Sequence, residues 1–440
     1  MSFFQSQFLR RQGVHLHAVR SETIRRASRM MGWAVIGLAL FGINAGLSEM
    51  AHQAGFVTYV FPRTMLWCAL PYLVAFGLLH RSLHLPPIEG GSIVGLATTL
   101  PFALILIVFA AFHIEYSRGA VLIGYIVTLA WIWFGYRRYV QKYVPVFGYM
   151  EPETLQQLDK IISMPGANPP SITRFEHIRS IEDALDCDGI MVERGLTADP
   201  ARTRQLTQYK LGHLRMYSVE RIGEMLTGRV GLDHIDENFF DDYADHYLYG
   251  FVKRVIDIAG VVLLAPLALP VGLAVALAVR LETRGGALFR QHRVGVFGKT
   301  FTMLKFRSMG LDKHATAQFA TRLDPRVTRV GRVIRKYRLD EIPQLWNVLV
   351  GDMSFIGPRP EQVPMVEAFT DSIPYYPYRH LVRPGLSGWA QVRQGYVGTH
   401  EETVTKLSYD LYYVKHCSLA LDLLIAVKTL RTLVTGYGAR

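Results

Sequence analysis

Residues 253–284 read KRVIDIAGVVLLAPLALPVGLAVALAVRLETR, and how this stretch meets a membrane decides the fold of everything after it. From Val255 to Val279 the run is apolar apart from Asp257. That is enough to cross a hydrocarbon core, which needs about 20 apolar residues. Within it lie Pro266 and Pro270, each lacking a backbone donor and clashing with the preceding helical turn. Cations flank both ends, Lys253 and Arg254 before, Arg280 and Arg284 after. Positive charge favours the cytoplasmic side, so both ends prefer the same face. The expectation is a re-entrant membrane helix over 253–280, broken at the prolines, that dips into the bilayer and returns. A kinked spanning helix is the alternative, and it would carry the charged C-terminal region across the membrane.

Outward from this block, a chain of 440 residues suggests two or three units. Half of the residues are hydrophobic and 19% are charged, between an ordinary soluble protein and a transporter. The apolar residues crowd between Met30 and Trp133. A basic lead-in over 1–29 precedes a four-helix transmembrane region over 30–140, with spans at Met30–Leu47, Thr64–Leu79, Ser92–Phe112 and Ala120–Tyr136. The second is short; a start nearer Phe56 would put Arg63 inside it or at the interface. Arginines at the start, and Arg137, Arg138 and Lys142 after the last span, place both ends in the cytoplasm, which needs an even number of crossings. No cleavable signal peptide is expected, since the first apolar run starts near Met30 and lacks a convincing cleavage site. Cys68, Cys187 and Cys417 lie far apart and suggest neither a disulfide framework nor a zinc site, as suits a reducing compartment.

The formal charge of +12 suits nucleic acid, anionic headgroups or phosphorylated substrates. The membrane spans, and the lack of zinc-finger, helix-turn-helix or RNA-binding signatures, argue against nucleic acid. Residues 141–240 read as a small soluble α/β domain. Strands are expected at Val144–Gly148, Gly189–Glu193 and Leu211–Tyr217, and helices at Glu153–Ile162 and Ile178–Leu185, in a parallel sheet. The dinucleotide fingerprint GxGxxG is missing after the first strand, where Gly148-Tyr-Met-Glu-Pro stands. A linking or regulatory module without a cofactor is the expectation.

The densest polar run is Arg329–Pro360, RVGRVIRKYRLDEIPQLWNVLVGDMSFIGPRP, centred on Asp340-Glu341. Pro343 fits the first turn of a helix, with the two acids at or just before its N-terminus. Arg332, Arg335, Lys336 and Arg338 lie upstream and Arg359 downstream. Two acids among cations suggest phosphate-ester chemistry. An aspartate can attack phosphorus once cations relieve its repulsion from the phosphoryl oxygens. Mg2+ is the natural ion, because it accepts one or two carboxylates plus substrate phosphates. Capping alone would also explain an acid pair at a helix start.

From Lys253 onward the chain resembles the bacterial polyprenyl-phosphate phosphoglycosyl transferases of monotopic fold. The resemblance rests on Phe289-Arg-Gln-His-Arg-Val-Gly, Phe301-Thr-Met-Leu-Lys-Phe-Arg-Ser-Met, Asp324-Pro-Arg-Val-Thr-Arg-Val-Gly and Leu339-Asp-Glu-Ile-Pro-Gln-Leu-Trp-Asn-Val-Leu. It continues through Gly351-Asp-Met-Ser-Phe-Ile-Gly-Pro-Arg-Pro, Arg383-Pro-Gly-Leu-Ser-Gly-Trp-Ala-Gln-Val and Tyr409-Asp-Leu-Tyr-Tyr-Val. The front half resembles the long members, which add four membrane helices and a degenerate nucleotide-binding-like domain. One departure is Ala265 before Pro266, where the family commonly has serine.

The resemblance implies a mainly α-helical catalytic domain over 249–440 at the cytoplasmic face of the bacterial inner membrane. Asp340 matches the nucleophile that takes a hexose 1-phosphate from a UDP-sugar, releases UMP, and passes it to undecaprenyl phosphate. Glu341 matches its acidic partner, either helping Asp340 hold Mg2+ or deprotonating the lipid phosphate. Arg335 matches a phosphate contact. Lys305, Arg307, Arg359 and Arg383 fall in family motifs as phosphate or nucleotide contacts, with a brace for the turn equally open for Arg359. Asp410 could pair with an arginine inside the fold. UDP-glucose and UDP-galactose lead as donors, N-acetylated sugars follow, and the expected pathway is exopolysaccharide or capsule. A homodimer is carried as a candidate assembly. A transferase moving only the sugar would release UDP, and a scaffold that has lost activity is the rival outside enzymology.

Overall fold

The computed structural model describes residues 22–82, 90–138, 145–163, 173–179, 183–184, 187–193, 200–211, 214–235, 247–310, 326–394 and 399–435. It divides into two compact units, Met1–Gly228 and Arg229–Arg440. The first part of the lead-in, Lys142 and Asp324 fall outside the described residues.

The first unit opens with the apolar helices α1 (Glu22–Gln53), α2 (Val60–Trp67), α3 (Ala69–Ser82), α4 (Gly90–Ala111) and α5 (Arg118–Tyr136). Only the turn at Cys68 separates α2 from α3, and together they make one span beginning at Val60. The second span is therefore longer than the apolar run from Thr64, and Arg63 lies in its first turn. The 22 residues of α4 reach about 33 Å, the thickness of a hydrocarbon core. Trp33 of α1 stacks on Trp131 of α5 with ring centroids 3.9 Å apart. Each indole N–H donates to the other's backbone carbonyl at 3.2 Å. Trp33 lies toward the start of the first span and Trp131 toward the end of the fourth. The start of α1 and the end of α5 therefore sit at the same level.

The same unit contains a four-stranded, all-parallel sheet in the order β2-β1-β3-β4. Its elements are β1 (Val146–Tyr149), α6 (Pro152–Ser163), β2 (Arg174–His177), β3 (Gly189–Val192), α7 (Pro200–Leu211), β4 (Met216–Ser218) and α8 (Val219–Thr227). Alternation along the strands sends Phe147 and Met191 to a core with Leu158 of α6 and Ile222 of α8. Ile190 turns the other way, to Tyr209 of α7 and Ile178. The expected third strand is corrected: α7 runs to Leu211, and only Met216–Ser218 is strand. β2 is an addition, an edge strand too exposed to show alternation. The expected Ile178–Leu185 helix is described only at 183–184. Gly148 serves packing, since a Cβ there would meet the Ile178 side chain at 2.0 Å.

The second unit has a 3-10 turn at Leu232–His234 and then the long helix α9 (Tyr247–Glu282). The expected break is corrected: helix continues through Pro266 and Pro270 for all 36 residues. At its start, Arg254 donates to the carbonyls of Val348 and Leu349 at 2.6 and 2.7 Å. One turn on, Asp257 accepts from Ser354 Oγ and Phe355 N at 3.0 and 3.1 Å. At its end, Glu282 accepts from Arg329 N and Val330 N at 2.7 and 2.9 Å. Both ends thus attach to one body, while Leu263, Leu267, Leu269, Leu273 and Leu277 are exposed.

That body comprises the antiparallel hairpin β5 (Leu288–Val294) and β6 (Thr300–Phe306), then α10 (Arg329–Lys336), a 3-10 turn at Leu339–Glu341, and α11 (Gln344–Val350). It continues with β7 (Ser354–Ile356), α12 (Val363–Ser372), a 3-10 segment at Tyr376–Leu381, β8 (Gly385–Ser387), α13 (Trp389–Arg393), α14 (His400–Lys415) and α15 (Leu419–Thr435). β7 and β8 pair in parallel. Val261 of α9 packs with Met303, Val348 and Met353. Val275 and Val279 pack with Phe306 and Ile334.

Candidate active site

Strand alternation places Arg293 of β5 and Lys305 of β6 on one face of the hairpin, together with Met303. The free edge of β6 is bound by a side chain instead of a strand. Asn347 Oδ1 accepts from Leu304 N at 3.1 Å, and its Nδ2 donates to Thr302 O at 2.8 Å. The turn before α11 is thereby registered against Lys305. On the other side of the turn, Thr328 caps α10 by accepting from Gly331 N. Gly331 lies against the Ser308 carbonyl, where a Cβ would come within 2.0 Å of the oxygen.

Between α10 and α11 the chain reverses at Arg338, with φ 54° and ψ 25°. A left-handed arginine costs roughly 1–2 kcal/mol, and strain of this kind persists where the surroundings fix it. Asp340 and Glu341 follow, ahead of Pro343, which occupies the N-cap of α11. The acids thus precede the helix, as its proline suggests.

Glu341 gathers the cations. Its Oε1 lies 3.4 Å from Lys305 Nζ and 3.3 Å from Arg359 Nη2, and its Oε2 lies 3.5 Å from Arg338 Nη1. Burial alone would raise its pKa, but Arg359, Lys305 and Arg338 outweigh that and hold the carboxyl at about 2. The Asp340 carboxylate has no ion pair or hydrogen bond to another described residue. Burial and the adjacent Glu341 raise it above the usual carboxylate value, against the pull of Lys305 and Arg335. Burial and Arg359 push Lys305 down, partly offset by Glu341 and Asp340. Arg335 donates through Nε to Ser308 Oγ at 2.8 Å. One acid is ringed by cations, and its neighbour is open and more basic than usual. Such a pair can deliver an oxygen nucleophile to an anionic phosphorus centre.

Asp340, Glu341, Lys305 and Arg359 therefore come together, with Arg335 within electrostatic reach of Asp340. Arg307 is buried and turned to Thr283 just after α9, donating from Nη2 to Oγ1 at 2.8 Å. Arg383 makes no hydrogen bond or ion pair through its side chain among the described residues. Its carbonyl lies over Gly357, where a Cβ would meet it at 2.3 Å. Asp410 does pair internally, with Arg379 at 2.7 Å. Three charged neighbours were not singled out from sequence: Glu361, ion-paired to Lys406, and Arg293, whose Nη1 lies 3.8 Å from Glu361 Oε2. Arg293 could have been found by counting alternate residues from Lys305 across the hairpin. No cluster of three His, Cys, Asp or Glu donors occurs among the described residues. Mg2+ arriving with a diphosphate needs only one or two carboxylates, and the open Asp340 with Glu341 beside it fits that demand.

The sequence profile of the bacterial sugar transferases matches residues 248–436. A Caulobacter vibrioides UDP-glucose:undecaprenyl-phosphate glucose-1-phosphate transferase is 45% identical over 191 residues, 42% of this chain and 71% of that protein. The chain belongs to the bacterial sugar transferase family. An Aeromonas hydrophila UDP-N-acetylgalactosamine-undecaprenyl-phosphate N-acetylgalactosaminephosphotransferase is 48% identical over 239 residues, 54% of this chain and 56% of that protein. An Escherichia coli UDP-glucose:undecaprenyl-phosphate glucose-1-phosphate transferase is 42% identical over 183 residues, 40% of this chain and 39% of that protein. The match thus spans just over half of the Aeromonas transferase and about two fifths of the E. coli one. The N-terminal apolar helices α1–α5 mark this member of the family as a long form.

Proposed function

We propose that this sugar transferase moves a sugar 1-phosphate from a UDP-sugar to undecaprenyl phosphate in two displacements at phosphorus. The observation that carries the reading is an Asp340 carboxylate with no ion pair among the described residues, beside a Glu341 paired to Lys305, Arg338 and Arg359. An Asp340 oxygen attacks the phosphorus bearing the sugar, the bridging P–O bond breaks, and UMP leaves with that oxygen. The phosphate of the lipid then attacks the same phosphorus, releasing the Asp340 carboxylate and forming the diphosphate-linked sugar. Lys305 and Arg359 face the phosphoryl oxygens, with Arg335 and Arg383 as further contacts. Asp340 and Glu341 would hold Mg2+, which supplies further neutralisation of phosphoryl charge. A carboxyl held at about 2 is a weak base at neutral pH, which favours Glu341 as an organiser of cations over a proton acceptor.

The attachment of both ends of α9 to one body supports a re-entrant membrane helix, bent at Pro266 and Pro270, over a spanning one. The catalytic unit then lies on the cytoplasmic face of the bacterial inner membrane, the side of nucleotide sugars. The product is the first lipid-linked sugar of an exopolysaccharide or capsule repeat. Its relatives' names put UDP-N-acetylgalactosamine beside UDP-glucose as donors to test, with UDP-galactose third.

The test uses the full chain in nanodiscs with Mg2+, undecaprenyl phosphate and those three donors. One donor should give UMP, lost in Asp340→Asn and on chelation of Mg2+. Release of UDP would point to transfer of the sugar alone, and UMP from Asp340→Asn would remove Asp340 as nucleophile.

A further inference from the structure

Arg359 sits on a strap, Gly357–Glu361, that belongs to no helix or strand yet is held at every residue. Gly357 N donates to Ser387 O at 2.8 Å, and Pro358 O accepts from Gly385 N at 3.0 Å. Glu361 O accepts from Val294 N at 3.1 Å. Between these, where the strap leaves β8 and approaches β5, guanidinium groups replace backbone. Arg359 O accepts from Arg379 Nη2 at 2.8 Å, and Pro360 O from Arg293 Nη1 at 2.9 Å.

Every guanidinium nitrogen of Arg379 has a partner, and the residue is 2% exposed. Its Nε and Nη2 reach Asp410 Oδ2 at 3.2 and 2.7 Å, and its Nη1 donates to Tyr376 Oη at 3.0 Å. Asp410 is 1% exposed, in the middle of α14. A fully buried ion pair seldom adds stability over apolar residues of the same volume, so stability alone is a weak reason for this one. What apolar residues could not supply is the donor to the peptide that carries Arg359.

We propose that Arg379 and Asp410 form a positioning pair. Asp410 fixes the Arg379 fork, and the fork fixes the Arg359 carbonyl so that the Arg359 side chain projects to Glu341 and the phosphoryl oxygens. The proposal rests on the phosphoryl-transfer reading above and extends it to residues that touch no substrate.

The experiment compares four proteins in nanodiscs: wild type, Arg379→Met with Asp410→Leu, Arg379→Lys, and Arg359→Ala. The double replacement and Arg379→Lys are also made in the Arg359→Ala background. The double replacement leaves no orphan charge, and Arg379→Lys keeps the charge but lacks the planar fork that reaches Asp410, Tyr376 and the Arg359 carbonyl together. Each is read by melting temperature and by kcat and KM for UMP release. The double replacement should melt near wild type while kcat falls at least tenfold and KM for the donor changes less than twofold. Arg379→Lys should behave alike. Once Arg359 is alanine, either change should cost less than twofold more, because residues acting through one another are not additive. Wild-type kcat in a folded variant, or a full tenfold loss in the Arg359→Ala background, would overturn the positioning role. Should the double replacement not fold, Arg379→Lys carries the same two criteria. Absence of UMP from wild type with every donor would instead remove the underlying reading, and the positioning role with it.

Discussion

Gly331 is the point where packing and chemistry are most tightly joined. A Cβ at this position would lie 2.0 Å from the Ser308 carbonyl oxygen and 2.8 Å from Thr328 Oγ1. Ordinary contact begins at 3.4 Å, so Gly331→Ala requires a separation of about 3.4 − 2.0 = 1.4 Å between α10 and the segment after β6. The obstacle is backbone, held by Thr328 N donating to Ser308 O at 3.2 Å, so it cannot rotate away. Overpacking of this kind costs about 1–3 kcal/mol, or several degrees in melting temperature at roughly 2–4 °C per kcal/mol. The larger effect is on rate. α10 leads directly into Arg338 and Asp340, and Arg335 is tied to Ser308 at 2.8 Å. A displacement of ~1 Å in reacting groups can cost about 100-fold. Gly331→Ala in nanodiscs should therefore stay folded and release UMP about 100-fold more slowly. Gly286→Ala is the control, because a Cβ there meets nothing within 4 Å. Activity of Gly331→Ala within threefold of that control would refute the claim that α10 sets the position of Asp340.

Two further predictions concern stability. Glu341 has its carboxyl depressed from 4.5 to about 2, worth about 3 kcal/mol of folding free energy at neutral pH. Because the folded value is the lower one, this contribution is complete above 4.5 and is lost as pH falls toward 2. Glu341→Gln should therefore melt below wild type at pH 7, with the gap closing below pH 4.5; a gap unchanged down to pH 3.5 would count against the three-cation account. Asn347→Ala would orphan Leu304 N and Thr302 O, at about 1–3 kcal/mol for each buried group. Faster hydrogen exchange at the Leu304 amide is the specific sign, and unchanged exchange there would show that β6 does not depend on Asn347.

How much of this could be read beforehand depends on the range of the interaction responsible. The apolar block at 255–279 and its flanking cations announce a membrane helix, because hydropathy is local. Its continuity was not legible. Pro266 and Pro270 are four apart and share one face, so both missing donors fall on one side, where a helix can bend without leaving helical dihedrals. The density of charge around Asp340-Glu341 pointed to the site, but no sequence rule puts arginine in the left-handed region at Arg338. Family motifs drew attention to Arg307 without telling which way its guanidinium points. Arg379 and Asp410 are 31 positions apart on a 3-10 segment and a long helix, beyond the reach of local patterns. β2 stayed hidden because an exposed edge strand has no buried side to alternate against.

The two adjacent acids reach opposite states because of the turn that carries them. In a 3-10 helix successive side chains are about 120° apart. Glu341 can therefore point into the ring of Lys305, Arg338 and Arg359 while Asp340 forms no ion pair with any of them. The separation has a chemical consequence. An aspartate bound to the same arginines would be stabilised as a carboxylate and made a poorer nucleophile. Here the cations are held by the neighbour, and burial together with that neighbour's negative charge raises Asp340. Lys305 and Arg359 are thus already gathered around Glu341, and neither is paired with the Asp340 carboxylate. On the proposed reading, an incoming diphosphate would share those cations with Glu341, and the Asp340 oxygen would approach phosphorus without a lysine or arginine partner of its own.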